Sequence, residues 1–419
     1  LNGVAYIYNT DNNQYLMEGT ATYQRTFADI HNLNLLAGVS YEKFNYDASE
    51  LGNNNFTTDA FLYNNIEAGT GNKIVKSDAT ENKMLSYFFR AGYVLKGRYL
   101  LTATLRADGA SVFAKNNKWG YFPSVALGWT MSEEEFLKKA EWLSNLKLRL
   151  SWGQTGNADI STNAFASYGA QGSWINSNYK TVNGVMKSRL ENPDLKWETT
   201  SEWNFGIDFG FLKNRISGSI ELYQRTISDL LNYKPLNTYQ EVKQIMANVG
   251  QTRSRGIELT LNTHNIQNKD FNWSTGFTFS KYEDKWKERT PDWKPNVYEK
   301  VNDPIRAIYA RRADHILQIG EPVPAAQPDL RPGQIVIKDL NGYVRDSNGN
   351  PKVDENGRFM LSGQPDGKID EADTELIGTT DPGWMASMTN SFRYKGFDFG
   401  FMFNGMFDRI MLDPTDMEY

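Results

Sequence analysis

Residues 203–211 read Trp203-Asn-Phe205-Gly-Ile207-Asp-Phe209-Gly-Phe211, with a large apolar residue at every odd position and Asn, Gly or Asp at every even position. Successive side chains of a β-strand point to opposite faces, so this stretch predicts a strand with one apolar and one polar face. A helix would spread the aromatic rings around its circumference. Such a strand fits either the core of a soluble sandwich or a barrel wall that faces lipid outside and water inside.

The composition of the 419 residues fits alternating strands joined by polar loops. Aromatic residues make up 13% of the chain although its mean hydropathy is negative. The net charge of -5 gives no basic excess to neutralise phosphate, so nucleic acid is not an expected partner. Cysteine is absent, which removes disulfides and thiolate metal sites. No apolar run reaches the roughly 18 residues of a transmembrane helix, whereas barrel strands would hide their hydrophobicity in alternation.

About a dozen alternating stretches are predicted to be strands, and short and long connections alternate between them. Short connections are predicted near residues 29, 97, 132–144, 213, 267 and 396, and long ones near 45–82, 110–120, 156–197, 229–251 and 285–383. An up-and-down meander would then place every short turn at one rim and every long loop at the other. Outer-membrane barrels have this asymmetry, with short periplasmic turns and long extracellular loops. The sequence therefore predicts an all-β fold, a transmembrane antiparallel β-barrel, over a soluble sandwich.

Three local features complete the predicted architecture. Val4 to Tyr8 is expected to be a separate short strand. Ser132 to Ala140 is expected to be one short helix, because Ser132 and Glu135 have the spacing of a capping box. The first and last strands would have no partner within the chain, and an open sheet edge is not tolerated in lipid. The dozen strands must therefore close on themselves or be part of a larger barrel.

Several motifs follow one another along the chain. They are Asp108-Gly-Ala-Ser-Val-Phe113, Asn117-Lys-Trp-Gly-Tyr-Phe-Pro-Ser124, Trp142-Leu-Ser-Asn-Leu-Lys-Leu-Arg149 before Gly153-Gln-Thr-Gly-Asn157, Glu191-Asn-Pro-Asp-Leu-Lys-Trp-Glu-Thr199, Asn248-Val-Gly-Gln-Thr-Arg-Ser-Arg-Gly-Ile-Glu-Leu259 and Pro304-Ile-Arg-Ala-Ile-Tyr309. In this order, over nearly the whole chain, they resemble the SusC/RagA-like TonB-dependent transporters of the Bacteroidota outer membrane.

The resemblance implies a fold and a function. Members of this family have a 22-stranded barrel, an N-terminal plug and a TonB box, so residues 1–419 would be a barrel segment without plug or TonB box. Residues 285–383 would be a large extracellular loop insertion. The family imports oligosaccharides, or peptides in some members, with energy relayed by TonB and usually beneath a SusD-like lipoprotein. The implied partners are therefore a SusD-like surface lipoprotein, TonB through an N-terminal part, the substrate and outer-membrane lipid. A passive porin or structural barrel, and a soluble carbohydrate-binding β protein, remain alternatives.

An interrupted calcium-type loop is the sharpest chemical signal. If residues 343–365 are left out, the string from 339 reads D-x-N-G-D-G-K-I-D-x-x-D, which places oxygen ligands at the positions of an EF-hand loop. The last ligand is Asp where the EF-hand has Glu. The alternative is a set of Asp- and Asn-rich turns that need no ion. No cofactor is required, but a structural Ca²⁺ is predicted on Asp339, Asn341, Asp366, the carbonyl of Lys368, Asp370 and Asp373.

Other candidate sites are weaker. The three histidines, His31, His264 and His315, are far apart in sequence and are expected to be solvated. Because no G-x-S-x-G, H-E-x-x-H or P-loop string occurs, no enzyme is expected. Aromatic residues in long loops could stack on sugar rings, pack within loops or contact a lid protein: Trp174, Tyr179, Tyr239, Trp286 and Trp293. Those near strand ends are expected in the interfacial girdle: Trp203, Trp273, Trp384 and Tyr121.

Overall fold

A computed structural model describes residues 3–160, 164–175, 181–237, 239, 242–355 and 358–411, with backbone alone for 169–175 and 181–183. The first ten strands are β1 (Gly3–Phe27), β2 (His31–Phe56), β3 (Ile74–Leu95), β4 (Tyr99–Ala110), β5 (Trp119–Thr130), β6 (Leu143–Asn157), β7 (Ser167–Ile175), β8 (Thr181–Arg189), β9 (Glu198–Phe211) and β10 (Ile216–Ser228). The others are β11 (Leu231–Pro235), β12 (Gln244–Asn248), β13 (Gln251–Gln267), β14 (Phe271–Glu288), β15 (Ala307–Arg311), β16 (Ala313–Ile316), β17 (Ile335–Ile337), β18 (Thr374–Thr379), β19 (Trp384–Tyr394) and β20 (Phe397–Phe407).

The chain has two compact units, and each contains a meander of long strands. Unit 1 comprises Leu1–Trp129, Ser151–Ser201 and Asp229–Val249, and unit 2 comprises Thr130–Leu150, Glu202–Ser228 and Gly250–Tyr419. The strand order in unit 1 is β1-β2-β3-β4-β5-β6-β9, and in unit 2 it is β6-β9-β10-β13-β14-β19-β20, with β6 and β9 divided between the units. The predicted dozen long strands are confirmed in the described part of the chain.

Short connections lie side by side within each unit. In unit 1, the amide of Lys96 in the β3–β4 turn donates to the carbonyl of Ile30 in the β1–β2 turn at 2.7 Å. In unit 2, the amide of Lys395 in the β19–β20 turn donates to Asp270, which precedes β14, at 2.8 Å. This is the arrangement that a meander with alternating short and long connections predicts.

The long connections are shorter than the sequence indicated. β1 is continuous, so Val4 to Tyr8 is not a separate strand, and the predicted loop 45–82 shrinks to residues 57–73. The register from Phe27↔His31 to Val4↔Asn54 has no shift. Polar side chains removed the alternation from this stretch, but they did not prevent backbone pairing. Further along, β7–β8 and β11–β12 form hairpins within the predicted loops 156–197 and 229–251, and β14 extends to Glu288 within the predicted insertion.

The predicted helix at Ser132–Ala140 is wrong. The structure has one turn of 3-10 helix at Met131–Glu133, and Glu134 follows in an extended conformation that ends it. Ser132 lies inside this turn, whose N-cap is Thr130, so Ser132 is not the N-cap residue of a helix. Nine residues cannot repay the cost of helix nucleation without tertiary packing. Among the described residues, no helix is long and apolar enough to cross a membrane.

The two faces of β9 differ as predicted. On the apolar face, Trp203 is 53% exposed and Phe205 39%, and Ile207 is half-buried rather than in the core. The same alternation places Phe397, Phe399 and Phe403 of β20 on one face, where all three are exposed. Exposed aromatic rings along whole strands are costly in water but favourable against hydrocarbon.

We predict that Ile207→Arg will lower the free energy of unfolding of the full-length protein by about 2–4 kcal/mol, because a guanidinium near the bilayer midplane must leave water. Unfolding by denaturant in lipid vesicles measures it, with Ile207→Val as the matched control. An Ile207→Arg protein as stable as the control would show that this face does not contact lipid.

Candidate functional site

The polar face of β9 is held by Arg149 of β6. The Nε and Nη2 atoms of Arg149 each donate to one carboxylate oxygen of Asp208 at 2.8 Å, and Nη2 also donates to Glu221 of β10 at 2.9 Å. Asn204 completes the network by donating to the other oxygen of Glu221 at 3.2 Å. A Cβ atom at Gly206 would lie 2.8 Å from the guanidinium, so glycine allows Arg149 to cross the strand. Three even positions, Asn204, Gly206 and Asp208, therefore supply an amide, space and a carboxylate for the network around Arg149.

The family-like motifs build a loop core in unit 1. Trp197 lies between Phe113 and Phe122, with ring centroids 5.2 and 5.4 Å away, and its indole N–H donates to the carbonyl of Lys118 at 3.2 Å. These rings come from three of the motifs. Nine buried residues form the cluster: Ala110, Val112, Phe113, Phe122, Ile160, Ala164, Leu195, Trp197 and Met246. The motifs that identify the chain thus fix the bases of its long loops.

Asparagine side chains join two of these motifs. The Nδ2 atom of Asn248 donates to the carbonyl of Lys196 at 2.8 Å, while the amide of Lys196 donates to Oδ1 of Asn248 at 2.9 Å. Asn192 donates to the carbonyl of Met246 at 2.8 Å. These side chains replace backbone partners that the loops lack, which accounts for Asn at these positions.

The two halves of the interrupted calcium-type loop do meet. The carboxylate of Asp339 accepts the amides of Asp366 at 3.2 Å and Gly367 at 2.7 Å. A Cβ atom at Gly342 would lie 2.4 Å from that of Asp366, so the two ends of the segment 343–365, which interrupts the calcium-type loop, are adjacent. Isolated bridges that pair Tyr343 with Leu361, Arg345 with Pro351 and Val353 with Phe359 form a small meander. The insertion therefore leaves the predicted loop nearly closed.

The carboxylates of this loop accept hydrogen bonds from backbone N–H groups. Oδ1 of Asp373, a fully buried residue, accepts the amides of Leu340 at 2.7 Å and Asn341 at 3.1 Å, and its Oδ2 accepts that of Asp370 at 2.8 Å. Asp370 caps the short 3-10 helix Glu371–Asp373 through the amide of Ala372. Among the residues that the structure describes, no group of three or more Asp, Glu or His side chains is placed to hold a metal ion. The calcium site on Asp339, Asn341, Asp366, Lys368, Asp370 and Asp373 stays a prediction.

His315 is held by carboxylates on both sides in the long insertion of unit 2. Its Nδ1 lies 2.9 Å from Oδ2 of Asp314, and its Nε2 lies 2.8 Å from Oε1 of Glu321. A neutral imidazole has one N–H and cannot donate to both, so the geometry selects the protonated ring. The hydrogen bond to Asp314 accordingly raises the pKa of His315 most, and the hydrogen bond to Glu321 raises it further. Nδ1 of His31 instead lies 2.6 Å from the hydroxyl of Tyr93.

The loop aromatics differ in what they contact. Trp286 and Trp293 both stack on Arg289, a residue that sequence reasoning missed although the spacing Trp-x-x-Arg-x-x-x-Trp was visible. Tyr239 is 95% exposed. Tyr179 and the side chain of Trp174 lie outside the described residues. Of the predicted girdle, Trp203 and Tyr121 are exposed, whereas Trp384 stacks on Phe407 with centroids 3.8 Å apart, and Trp273 donates to Asn390 at 2.9 Å.

Comparisons with known proteins agree with the motifs. The family model described as TonB dependent receptor-like, beta-barrel matches residues 1–320. TonB-dependent receptor P3 of Formosa agariphila is 32% identical over 411 residues, which is 96% of this chain and 39% of the receptor. TonB-dependent receptor SusC of Bacteroides thetaiotaomicron is 34% identical over 340 residues, which is 77% of this chain and 31% of SusC. The chain thus spans well under half the length of these relatives.

Solved structures agree on the fold. The structure of the RagAB peptide transporter has a TM-score of 0.76 and 23% identity, covering 96% of this chain and 42% of that chain. Its open-open state has a TM-score of 0.75 and 22% identity. At this level of identity the likeness concerns the strands and their order.

We predict that about 5 mM Ca²⁺ will slow amide exchange at residues 339–342 and 366–370 of the full-length protein if the calcium loop binds its ion. A dissociation constant on the order of 1 mM, usual for extracellular calcium modules, would stabilise the loop by about 1 kcal/mol. Asp339→Asn should remove the effect, and Asp346→Asn in the inserted meander is the control. Amide exchange rates that do not change with calcium would contradict the ion site and support turns held by backbone hydrogen bonds alone.

The raised pKa of His315 gives a pH prediction. The contribution of the protonated ring is complete below the unfolded value of about 6.5 and is lost as the pH rises through the higher folded value. After correction for intrinsic rates, amides of residues 314–321 should exchange faster at pH 8.5 than at pH 6. Hydrogen exchange detected by mass spectrometry measures this, and His315→Gln should remove the difference while His264→Gln keeps it. A pH-independent wild type would contradict the charged geometry.

Proposed function

We propose, because the chain belongs to the TonB-dependent receptor β-barrel family, that it forms part of the wall of a transporter that actively imports oligosaccharides or peptides. The SusC/RagA-like resemblance is confirmed, and the chain is a multi-strand part of an outer-membrane β-barrel. Since it spans 39% of receptor P3, the activity proposed is that of the whole protein.

One observation carries the proposal: the long strands have an exposed apolar face and a cross-linked polar face. The odd residues of β9, such as Trp203 and Phe205, are exposed, while Asp208 is bound to Arg149. An apolar outside and a polar inside are what a barrel wall around a passage requires. A soluble sandwich would bury the aromatic face, so that alternative does not fit.

The partners are also proposals. The relative named SusC and the solved structure titled RagAB peptide transporter support a SusD-like surface lipoprotein as lid and TonB as the energy relay. RagAB is titled a peptide transporter, which keeps peptides beside oligosaccharides as the substrate class. The proposed role needs no enzymatic step, because the substrate crosses unchanged.

Active import is distinguished from passive diffusion by its energy requirement. We predict that cells carrying the full-length gene will accumulate a fluorescent oligosaccharide or peptide from a mixed panel. A protonophore should abolish accumulation but leave surface binding. A strain without TonB is the matched control and should behave like the uncoupled cells. Accumulation that persists in both would support the passive porin instead.

A further inference from the structure

Arg289 lies between two tryptophan side chains immediately after β14. Its guanidinium carbon is 4.8 Å from the ring centroid of Trp286 and 4.7 Å from that of Trp293. Trp286 shares a face of β14 with Ser280, Tyr282 and Asp284, opposite the apolar residues Phe277 and Phe279. The cluster of Trp286, Arg289 and Trp293 therefore lies at the end of the polar face of β14. In a barrel, the polar face of a strand faces the passage.

The hydrogen bonds of Arg289 fix its orientation and leave part of it free. Nε donates to the carbonyl of Val301 at 3.2 Å, and Nη2 donates to the carbonyl of Lys300 at 3.4 Å. Nη1 has no acceptor among the described residues. The guanidinium lies over both indole rings, and because Nη2 gives only one of its two N–H groups to Lys300, the Nη1–Nη2 edge keeps an N–H on each nitrogen for a ligand. That edge presents two parallel N–H groups, the geometry that binds a carboxylate in a bidentate manner.

The charge of Arg289 is only partly offset by its own surroundings. Two carboxylates act on it through space without a direct bond: that of Asp303 accepts hydrogen bonds from the hydroxyl of Tyr309 and the amide of Lys300, and that of Glu299 accepts one from the amide of Asn296. No ion pair joins Arg289 to a carboxylate in the part of the chain described. Burial lowers the pKa of Arg289 and outweighs the opposing influence of Tyr309, Glu299 and Asp303, but an arginine remains charged at any physiological pH.

We propose that Arg289, Trp286 and Trp293 form a binding site for the carboxylate of an acidic sugar residue. The inference rests on the import function proposed above and specifies its ligand. The carboxylate would meet the free edge of the guanidinium. Both indoles are half-buried, and neither ring has another aromatic or cationic partner among the described residues, so the solvent-accessible part of each can pack against the C–H groups of a sugar ring. A peptide carboxylate would use the cation but leave these faces bare.

The first test varies the ligand. We expect full-length wild-type protein in detergent to bind oligouronates from a panel of galacturonate, glucuronate and mannuronate tetramers, followed by tryptophan fluorescence. The methyl ester of the tetramer that binds best, which has the same sugar ring but no charge, should bind at least about tenfold more weakly, as expected for loss of a charged hydrogen bond. A tripeptide with a free C-terminus and its amide test the peptide carboxylate. This comparison requires no variant to fold.

The second test varies the site. Arg289→Gln should weaken oligouronate binding by at least about tenfold, and Arg289→Lys should fall between, since it keeps the charge but loses the planar fork. Arg331→Gln removes an exposed arginine from the same insertion and should bind like the wild type. Heat-modifiable migration on a gel checks that each barrel is folded.

The outcomes separate this site from the import function. Equal binding of acid and ester, unchanged affinity in Arg289→Gln, or preference for the free tripeptide carboxylate would each overturn the acidic-sugar site. Binding of neutral oligosaccharides alone would also overturn it and would leave import standing. Failure of energy-dependent accumulation together with preserved oligouronate binding would instead refute import and retain the site.

Discussion

The constraint on which this structure depends is that strands in hydrocarbon must satisfy every backbone N–H and C=O through neighbouring strands. Short turns such as Lys96–Arg98 allow consecutive strands to pair directly, and the turns bond to one another as well. Once pairing is fixed, the pleat decides which side chains point outward. The apolar residues of β9 and β20 and the polar network around Arg149 are then two results of the same ladder.

The family motifs and the proposed site have separate tasks. Phe113, Phe122 and Trp197 pack against one another, and Asn248 joins two loop bases, so these residues hold the loop bases of this chain together. Arg289 and its two tryptophans lie outside every motif quoted from the sequence. A surface that identifies a ligand must differ between transporters, whereas the cluster that anchors its loops need not. The scaffold is therefore recognisable in the sequence, and the ligand is not.

The sequence predicted structure wherever one face of a strand is apolar. β9, β19 and β20 have their expected places because alternation reports burial or lipid contact. It did not predict the outer parts of β2 and β3, where both faces are largely polar and ion pairs such as Lys76–Glu50 accompany the backbone ladder. The predicted helix at Ser132–Ala140 does not form, because nine residues with a capping pattern are too few to be helical without tertiary packing. At the calcium-type loop, the sequence spacing correctly predicted that Asp339 and Gly367 lie close together. It could not show that the carboxylate of Asp339 accepts backbone N–H groups.

The length of β1 has a consequence for distance from the membrane. β1 has 25 residues, whereas a tilted strand needs roughly 9–11 to cross the hydrocarbon. At about 3.4 Å per residue and a tilt near 40°, the remainder lifts the loop 57–73 roughly 35–40 Å above the lipid. The height of this loop is set by the hydrogen bonds between the paired strands rather than by a packed core, so the strands form a rigid extension that carries it. A fluorophore on this loop would serve as a molecular ruler, reporting what approaches one small-protein diameter away from the bilayer.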